Sequence, residues 1–243
     1  MPKREKVREM FDGIAGSYDK FNHIMSLNID KCWRRRAIRK FLTSDKPQEI
    51  LDLACGTGDF SLATARLMRP DSHITAIDLS PGMLDIMRQK VAQAHLEDRI
   101  SINTGDGEKL DFQDRTFDAV TIAFGIRNFE NREAGLREIR RVLKDGGKIV
   151  ILELSVPENA FIRRIYNIYF TKIMPVIGRK ISGDGKAYSY LPASVLGFPD
   201  KDKWMRTMQE CGFSAVTHKS LSLGICRLYT GERQDKESLE QLQ

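Results

Sequence analysis

Glycine and aspartate residues recur where strand-like segments of this sequence end. In ILDLACGTGDF, residues 50–60, Gly56 and Gly58 directly follow an apolar run, and a missing Cβ lets a ligand lie against the backbone. Asp78 ends the next such segment, and Asp106 ends the third. Carboxylates there can accept hydrogen bonds from a ribose and from an adenine amino group. The spacing therefore predicts a ligand that contains adenosine.

A dinucleotide fits this turn poorly. Its fingerprint needs a third glycine where Ser61 stands, and Asp59 would repel a pyrophosphate at the start of the following helix. A tight turn with no ligand remains the alternative, because short glycine motifs also occur without one.

The segments around the turn alternate between strand and helix patterns, which predicts right-handed crossovers and a parallel sheet. Two later strand-like runs, separated by a short turn, predict an antiparallel hairpin. The expected fold is α/β and Rossmann-like: a doubly wound, mostly parallel seven-stranded sheet with a C-terminal hairpin. The predicted strands are 49–54, 73–78, 99–106, 117–124, 148–154, 213–221 and 226–232, and the predicted helices are 59–68, 81–95, 131–144 and 201–212.

The length of 243 residues favours a single domain over the whole chain. Within it we expect an N-terminal helical lid at 1–45, a helical insertion at 157–199 and a polar tail at 233–243.

Composition narrows the class of protein. The four cysteines are dispersed without a C-x-x-C pair, so neither a metal site nor a disulfide framework is expected. No signal peptide and no apolar run of about 18 residues occurs, which predicts a cytoplasmic protein without a membrane span. The net charge of +6 is mild, and the basic segments lack the aromatic platform of a nucleic-acid binder.

Longer motifs carry a family resemblance. The patterns DLACGTGD, AIDLSPGML and FDAV resemble the class I S-adenosylmethionine-dependent methyltransferases over residues 49–155. Four further segments are similar to the quinone C-methyltransferases of ubiquinone and menaquinone biosynthesis. They are YDKFNHIMSLNIDKCWRR, AFGIRN, RVLKDGGKIVILELS and AYSYLPASVLGFP. Together these motifs span nearly the whole chain.

The resemblance implies S-adenosylmethionine as cofactor and a polyprenylated quinol, demethylmenaquinol, as acceptor. The residues expected at the cofactor are Tyr18, Gly56, Thr57, Gly58, Asp78, Asp106 and Gly107. Three positions depart from the family pattern: Ala123 replaces a frequent serine, Asp30 a common histidine, and Asp145 a proline. The change at position 30 leaves a catalytic use of that histidine unsupported here.

Methylation of a quinol ring carbon needs a phenolate stabiliser and a proton acceptor. We expect Arg127 to stabilise the phenolate and Asn128 to orient the ring oxygen, although Arg127 paired with a neighbour such as Glu130 is the alternative. His23 is the candidate base, because an imidazole titrates near neutral pH. A solvent-facing His23, with a bound water as the base, remains open.

The same segments predict where the acceptor binds. Tyr18, Asn22, Ser26 and Trp33 have spacings that bring several of them to one face of the lid. Tyr188 and Tyr190 are expected to line the quinone pocket, or else to pack within the insertion.

A polyprenyl tail resides in the bilayer, so we expect the insertion to bind the inner face of the cytoplasmic membrane reversibly. Its apolar residues at near-helical spacing are Phe161, Ile165, Tyr169, Ile173, Met174 and Ile177, flanked by Arg163, Arg164, Lys172, Arg179 and Lys180.

Several alternatives remain open from the sequence. They are an enzyme that methylates a benzoquinol as well, a methyltransferase with another small acceptor, and a non-catalytic binding protein that keeps the fold. A homodimer is neither favoured nor excluded.

Overall fold

The computed structural model describes residues 3–174, 176 and 185–234, and side chains within 4–174, 176 and 190–234. Seven strands in these ranges form one sheet. They are β1 (Glu49–Leu53), β2 (His73–Asp78), β3 (Ile100–Thr104), β4 (Phe117–Ala123), β5 (Leu143–Leu154), β6 (Phe213–Leu221) and β7 (Cys226–Arg233).

The strand order is β3-β2-β1-β4-β5-β7-β6. Strands β1 to β5 pair in parallel, whereas β7 pairs antiparallel with both β5 and β6. The chain reverses its direction across the sheet beside β1, and ligands of open α/β sheets bind at the carboxyl ends of the strands at such a point. The predicted doubly wound sheet with a C-terminal hairpin is confirmed.

Eight α-helices surround the sheet within the described ranges. They are α1 (Lys3–Met25), α2 (Ile29–Ile38), α3 (Asp59–Ala65), α4 (Pro81–Gln93), α5 (Arg132–Val142), α6 (Ala160–Ile168), α7 (Gly185–Leu196) and α8 (Lys201–Glu210). The helix α5, predicted to end at residue 144, ends two residues earlier. Leu143 pairs with Phe117 of β4, and β5 therefore begins five residues before its predicted start at residue 148.

An apolar core covers each face of the sheet. Ile50 belongs to the core that contains Leu84 of α4, whereas its neighbour Leu51 belongs to the core that contains Leu136 of α5 and Trp204 of α8. Successive side chains of a strand point to opposite faces, so β1 needs apolar residues at consecutive positions. This explains the continuous apolar run before the glycine turn.

A third apolar cluster fixes α1 over the carboxyl ends of the strands. Ile14 and Phe21 of α1 pack with Met83 of α4, with Tyr166 of α6 and with Phe170. Phe170 lies in a π-helix, Tyr169–Ile173, that continues α6. The N-terminal lid is therefore joined to the insertion by apolar packing.

The insertion has both an exposed and a buried apolar face. Phe161 and Ile165 are exposed, but Met174 is only 1% exposed and packs in the third cluster. The expectation that Met174 faces the membrane is wrong, because the π-helical turn rotates it towards α1. Ile177, Arg179 and Lys180 lie outside the described residues.

The glycine turn needs its glycines for two reasons. Gly56 and Gly58 have φ values of 56° and 83°, which disfavour residues with a side chain. A Cβ on Gly58 would also lie 2.5 Å from Cγ of Met87. Gly58 therefore permits close packing of the turn on α4.

A buried carboxylate joins β1, α3 and β4 beneath this turn. Asp52 is 1% exposed and accepts hydrogen bonds from Ser61 Oγ at 2.5 Å and from Thr121 Oγ1 at 3.0 Å. Burial raises the pKa of Asp52 to about 6, and the two hydroxyl donors oppose this rise only in part.

We predict that Asp52→Asn gains stability relative to the wild type as the pH rises from 5 to 8. A carboxyl whose pKa is raised by folding stabilises the protein at low pH, and this contribution is lost as the pH passes through about 6. The difference should change by roughly 1 to 2 kcal/mol over this interval. Urea unfolding of both proteins at several pH values measures it, and a pH-independent difference would contradict the assignment.

Candidate active site

A cavity of about 80 Å³ lies beneath α1 at the carboxyl ends of β1 to β4. Most of the residues predicted at the cofactor line it. They are Tyr18, Gly56, Asp78, Asp106 and Gly107. The turns after four successive strands and one face of α1 thus form a single site.

Asp78 holds the glycine turn from the end of β2. Its Oδ2 accepts from the Gly56 N–H at 2.8 Å, and its Oδ1 accepts from the Ser80 N–H at 2.9 Å. Burial raises the pKa of Asp78, opposed by these backbone donors. Each carboxylate oxygen retains a lone pair that can accept a further hydrogen bond from a ligand.

Asp106 already has a cationic partner from the lid. Its Oδ2 pairs with Arg4 Nη1 at 2.6 Å, while its Oδ1 accepts from the Glu108 N–H at 2.9 Å. Because Arg4 also lines the cavity, α1 covers the position predicted for the adenine amino group.

Two predicted cofactor residues do not line this cavity. Thr57 is 2% exposed, and its hydroxyl donates to Asp19 of α1. Gly58 instead packs against Met87. Both residues support the turn and the lid, so the structure does not bring them to a ligand.

Polar contacts hold the middle of α1 against the sheet. Asp12 Oδ1 accepts from Ser80 Oγ at 2.6 Å and from the Gly82 N–H at 3.0 Å. Asp19 Oδ2 accepts from Lys90 Nζ at 2.9 Å. The lid therefore closes on the same loops that form the smaller cavity.

A second and larger cavity, of about 480 Å³, adjoins the first. Phe11, Tyr18 and Phe124 line both cavities. The wall of the larger one is mainly apolar and comes from α1, α2, α6, the π-helix and the turn before β7. All four lid residues predicted on one face, Tyr18, Asn22, Ser26 and Trp33, line it. Burial raises the pKa of Tyr18, which keeps its hydroxyl protonated near neutral pH.

Arg127 forms a buried ion pair at this larger cavity. Its Nη1 donates to Glu153 Oε1 at 2.8 Å and to the Phe124 carbonyl, and its Nε donates to Ser194 Oγ at 3.3 Å. The pairing partner is therefore Glu153 rather than Glu130. Among the described residues Nη2 has no partner, which leaves it available to a ligand.

Asn128 lies on the cofactor side of the same turn. Its Oδ1 accepts from the Tyr190 hydroxyl at 3.1 Å, and Tyr190 lines the larger cavity. The bond links the two cavities through one pair of side chains. Tyr188 belongs to α7, but its side chain lies outside the described part of the chain.

His23 lies outside the residues that line either cavity. Its Nδ1 is 3.0 Å from Asp30 Oδ2, and its Nε2 is 3.4 Å from Asp59 Oδ2. Both ring nitrogens face carboxylates of the protein rather than a cavity. The geometry does not favour His23 as the base.

The sequence analysis gave no role to four polar residues at or behind the larger cavity, and it noted Asp30 among them only as a departure from the family pattern. Asp30, Arg34 and Tyr166 line the cavity, and Glu153 pairs with Arg127. Arg34 Nε and the Tyr166 hydroxyl are buried and have no hydrogen-bond partner in the described structure. The spacing of Asp30 and Arg34, four residues apart on a helix, was the available signal.

His23, Asp30 and Asp59 bring three possible metal ligands close together. Arg34 Nη1 lies against both aspartates, and Lys90 Nζ is 2.5 Å from Asp59 Oδ1. These two cations already balance the charge of the two carboxylates, so the cluster is an ion-pair network. Among the described residues, no helix has the length and apolarity that a membrane span requires.

Comparison with known proteins finds relatives that match nearly the whole chain. The model of the ubiE/COQ5 methyltransferase family matches residues 1–233. Demethylmenaquinone methyltransferase of Bacteroides fragilis is 43% identical over 231 residues, which cover 95% of this chain and 94% of the relative. Ubiquinone/menaquinone biosynthesis C-methyltransferase UbiE of Geotalea daltonii is 45% identical over 231 residues, with coverage of 95% and 97%.

Solved structures share the fold at lower sequence identity. The cyclase SpnF aligns with a TM-score of 0.74 at 16% identity, over 96% of this chain and 98% of its own. A putative S-adenosyl-L-methionine-dependent methyltransferase of Methanococcus maripaludis aligns with a TM-score of 0.67 at 22% identity, over 93% and 95%. These likenesses establish the methyltransferase fold.

Proposed function

Because the chain belongs to the ubiE/COQ5 methyltransferase family, we propose that it methylates a ring carbon of 2-demethylmenaquinol, with S-adenosylmethionine as the methyl donor, to give menaquinol. The observation that carries the proposal is the pair of adjoining cavities. One is small, polar-edged and formed by strand ends, and the other is large, apolar and contains Arg127. The UbiE name of the Geotalea relative supports a second candidate, an enzyme that also methylates a benzoquinol.

The smaller cavity fits the proposed cofactor in its chemistry. Asp78 and Asp106 supply carboxylate acceptors, and Gly56 and Gly107 expose backbone between them. When bound, S-adenosylmethionine supplies an electrophilic methyl group on a positively charged sulfur. Asn128 and Tyr18 would lie between the bound cofactor and the larger cavity.

The larger cavity fits a reduced naphthoquinone ring. Ring methylation needs electron density on carbon, which a phenolate oxygen provides. Arg127 Nη2 is the donor we assign to that oxygen, and the unpartnered Tyr166 hydroxyl is a second donor. Arg127 influences the pKa of both Tyr166 and Tyr190 through its charge, so these groups belong to one polar end of the cavity. Alignment of the reactants by closed walls contributes further to the rate.

The function is tested by an anaerobic assay of the purified protein with labelled S-adenosylmethionine and two reduced acceptors. We expect transfer to demethylmenaquinol, and transfer to the demethylated benzoquinol as well would establish the dual candidate. If the protein binds the cofactor but methylates neither quinol, the proposed acceptor class is wrong.

We predict that Arg127→Lys lowers kcat about 100-fold or more and changes the affinity for S-adenosylmethionine less than threefold. Lysine keeps a cation opposite the buried Glu153, which preserves the fold, but it loses the planar donors that would reach the phenolate. Loss of one such donor costs roughly 3 to 4 kcal/mol of transition-state stabilisation.

Arg137→Lys is the matched control for this substitution. Arg137 is exposed and pairs with Glu133 on α5, so its replacement should leave kcat within a factor of two. Wild-type turnover by Arg127→Lys would exclude the assigned role.

The rim of the larger cavity supports membrane binding. Leu27, Ile29, Ile165 and Leu223 line the cavity and are also exposed to solvent. Phe161, at 70% exposure, and Ile168 extend this apolar surface along α6, beside the exposed Arg163 and Arg164. Apolar side chains flanked by cations suit the interface of an anionic bilayer. The rim would receive the polyprenyl tail from the lipid.

We predict that the double variant Phe161→Ser/Ile168→Ser binds anionic vesicles at least tenfold more weakly than the wild type. Neither residue lines the cavity, and burial of each side chain contributes about 1.5 to 3 kcal/mol. Leu67→Ser is the control, because Leu67 is exposed, follows α3 and does not line the larger cavity. Co-sedimentation at low salt measures binding, and equal binding of all three proteins would refute this surface.

A further inference from the structure

The larger cavity has a second group of polar residues besides Arg127. It is formed by Ser26, Asp30 and Arg34, which all line the cavity. Asp30 is 3% exposed and is the one carboxylate among the described residues of that lining. Both groups adjoin Phe124, because Arg127 Nη1 donates to its carbonyl and the Arg34 guanidinium lies 5.9 Å from the centroid of its ring.

Asp30 is held firmly in this position. Its Oδ1 accepts from Ser26 Oγ at 2.6 Å, and its Oδ2 accepts from Arg34 Nη1 and faces His23 Nδ1 at 3.0 Å. Behind it, Asp59 of α3 lies 3.4 Å from both His23 and Arg34, and Lys90 of α4 pairs with Asp59. These groups, from α1 to α4, are the charged groups that surround Asp30.

Arg34 provides an independent sign that a ligand binds here. Its side chain is 9% exposed, and its Nε is buried without a hydrogen-bond partner in the described structure. Buried donors in proteins are almost always paired, so an unpaired one on a cavity wall needs a partner that the protein alone does not provide. The neighbouring Asp30 is an acceptor. A donor and an acceptor side by side match a hydroxyl group.

We propose that Asp30 is the general base that takes the proton of the quinol oxygen assigned to Arg127, and that Arg34 Nε donates to the same oxygen. This inference rests on the proposed function. The quinol O–H bond breaks, Asp30 gains the proton, and the electron pair stays on oxygen and raises the electron density of the ring. After methylation the ring carbon loses its proton to water, and the oxygen recovers its proton from Asp30. Asp30 ends as a carboxylate, and one proton is released to water.

The proposal gives His23 a positioning role. His23 donates to the Asp30 carboxylate from outside the cavity and fixes its orientation, together with Ser26. His23, the base predicted from the sequence, is thus in contact with Asp30, the base proposed from the structure.

The test is the pH dependence of kcat, measured anaerobically with saturating S-adenosylmethionine and reduced demethylmenaquinol. For Asp30→Asn we expect kcat at pH 7 to fall at least 100-fold, with a residual rate that rises about tenfold per pH unit as hydroxide replaces the base. Asp30→Glu keeps a carboxylate and should recover at least a tenth of the wild-type rate with the wild-type pH profile. Cofactor affinity and thermal unfolding report whether each variant is folded.

Asp59→Asn is the matched control, because Asp59 contacts the same His23 and Arg34 but does not line the cavity. We expect it to keep the wild-type pH profile. The proposal is overturned if Asp30→Asn keeps that profile, if Asp59→Asn loses as much activity, or if Asp30→Glu is as slow as Asp30→Asn. A wild-type protein that methylates no quinol would instead refute the proposed function.

Discussion

Both cavities depend on one constraint, the closure of α1 over the carboxyl ends of the strands. Asp12 and Asp19 anchor this helix to the loops after β1 and β2 and to α4, and Ile14 and Phe21 bury its apolar face. Because Phe11 and Tyr18 belong to both cavities, a displaced α1 would open both to water. Exclusion of water strengthens every charge interaction within the site. The lid is therefore part of the site rather than a cover added to it.

The pair Arg127 and Glu153 is explained by function better than by stability. Removing two charges from water is costly, and well-packed apolar residues often replace such pairs without loss of stability. Here Glu153 accepts from Nη1 and from the Arg127 backbone, which fixes the guanidinium in one orientation. An arginine whose position is fixed before the reaction needs no reorganisation when charge develops on a substrate oxygen. The same reasoning applies to Arg34, which pairs with Asp30 on the wall of the same cavity.

The sheet and the cofactor cavity were predictable because their signals are local. Apolar runs that end in glycine or aspartate report strand ends directly, and Asp78 and Asp106 lie where that pattern predicts. Contacts between distant segments left no such signal. Thr57 resembles a ligand contact in the sequence, but its hydroxyl pairs with Asp19, 38 positions away. Met174 continues the apolar spacing of the insertion in the sequence, but the π-helix before it turns its side chain into the core. His23 was expected at the acceptor, but it lies outside both cavities, whereas Asp30, in the next helix, lines the larger one.

The two ends of α1 differ in how firmly they are held, and this difference bears on how two unlike substrates reach one site. At the N-terminal end the polar contact is the pair Arg4 and Asp106, with Arg4 about half exposed, and exposed pairs contribute only about 0 to 1 kcal/mol. A ligand that bonds to Asp106 can replace this contact at little cost. At the C-terminal end, Tyr169 donates to the Met25 carbonyl and the apolar cluster continues into α6. On the proposed function, a polar cofactor would enter from water beneath the loosely held end, while an apolar quinol would enter past Leu27 and Ile165, which line the larger cavity and are exposed. Separate entrances would allow the lid to remain closed on one substrate while the other is exchanged.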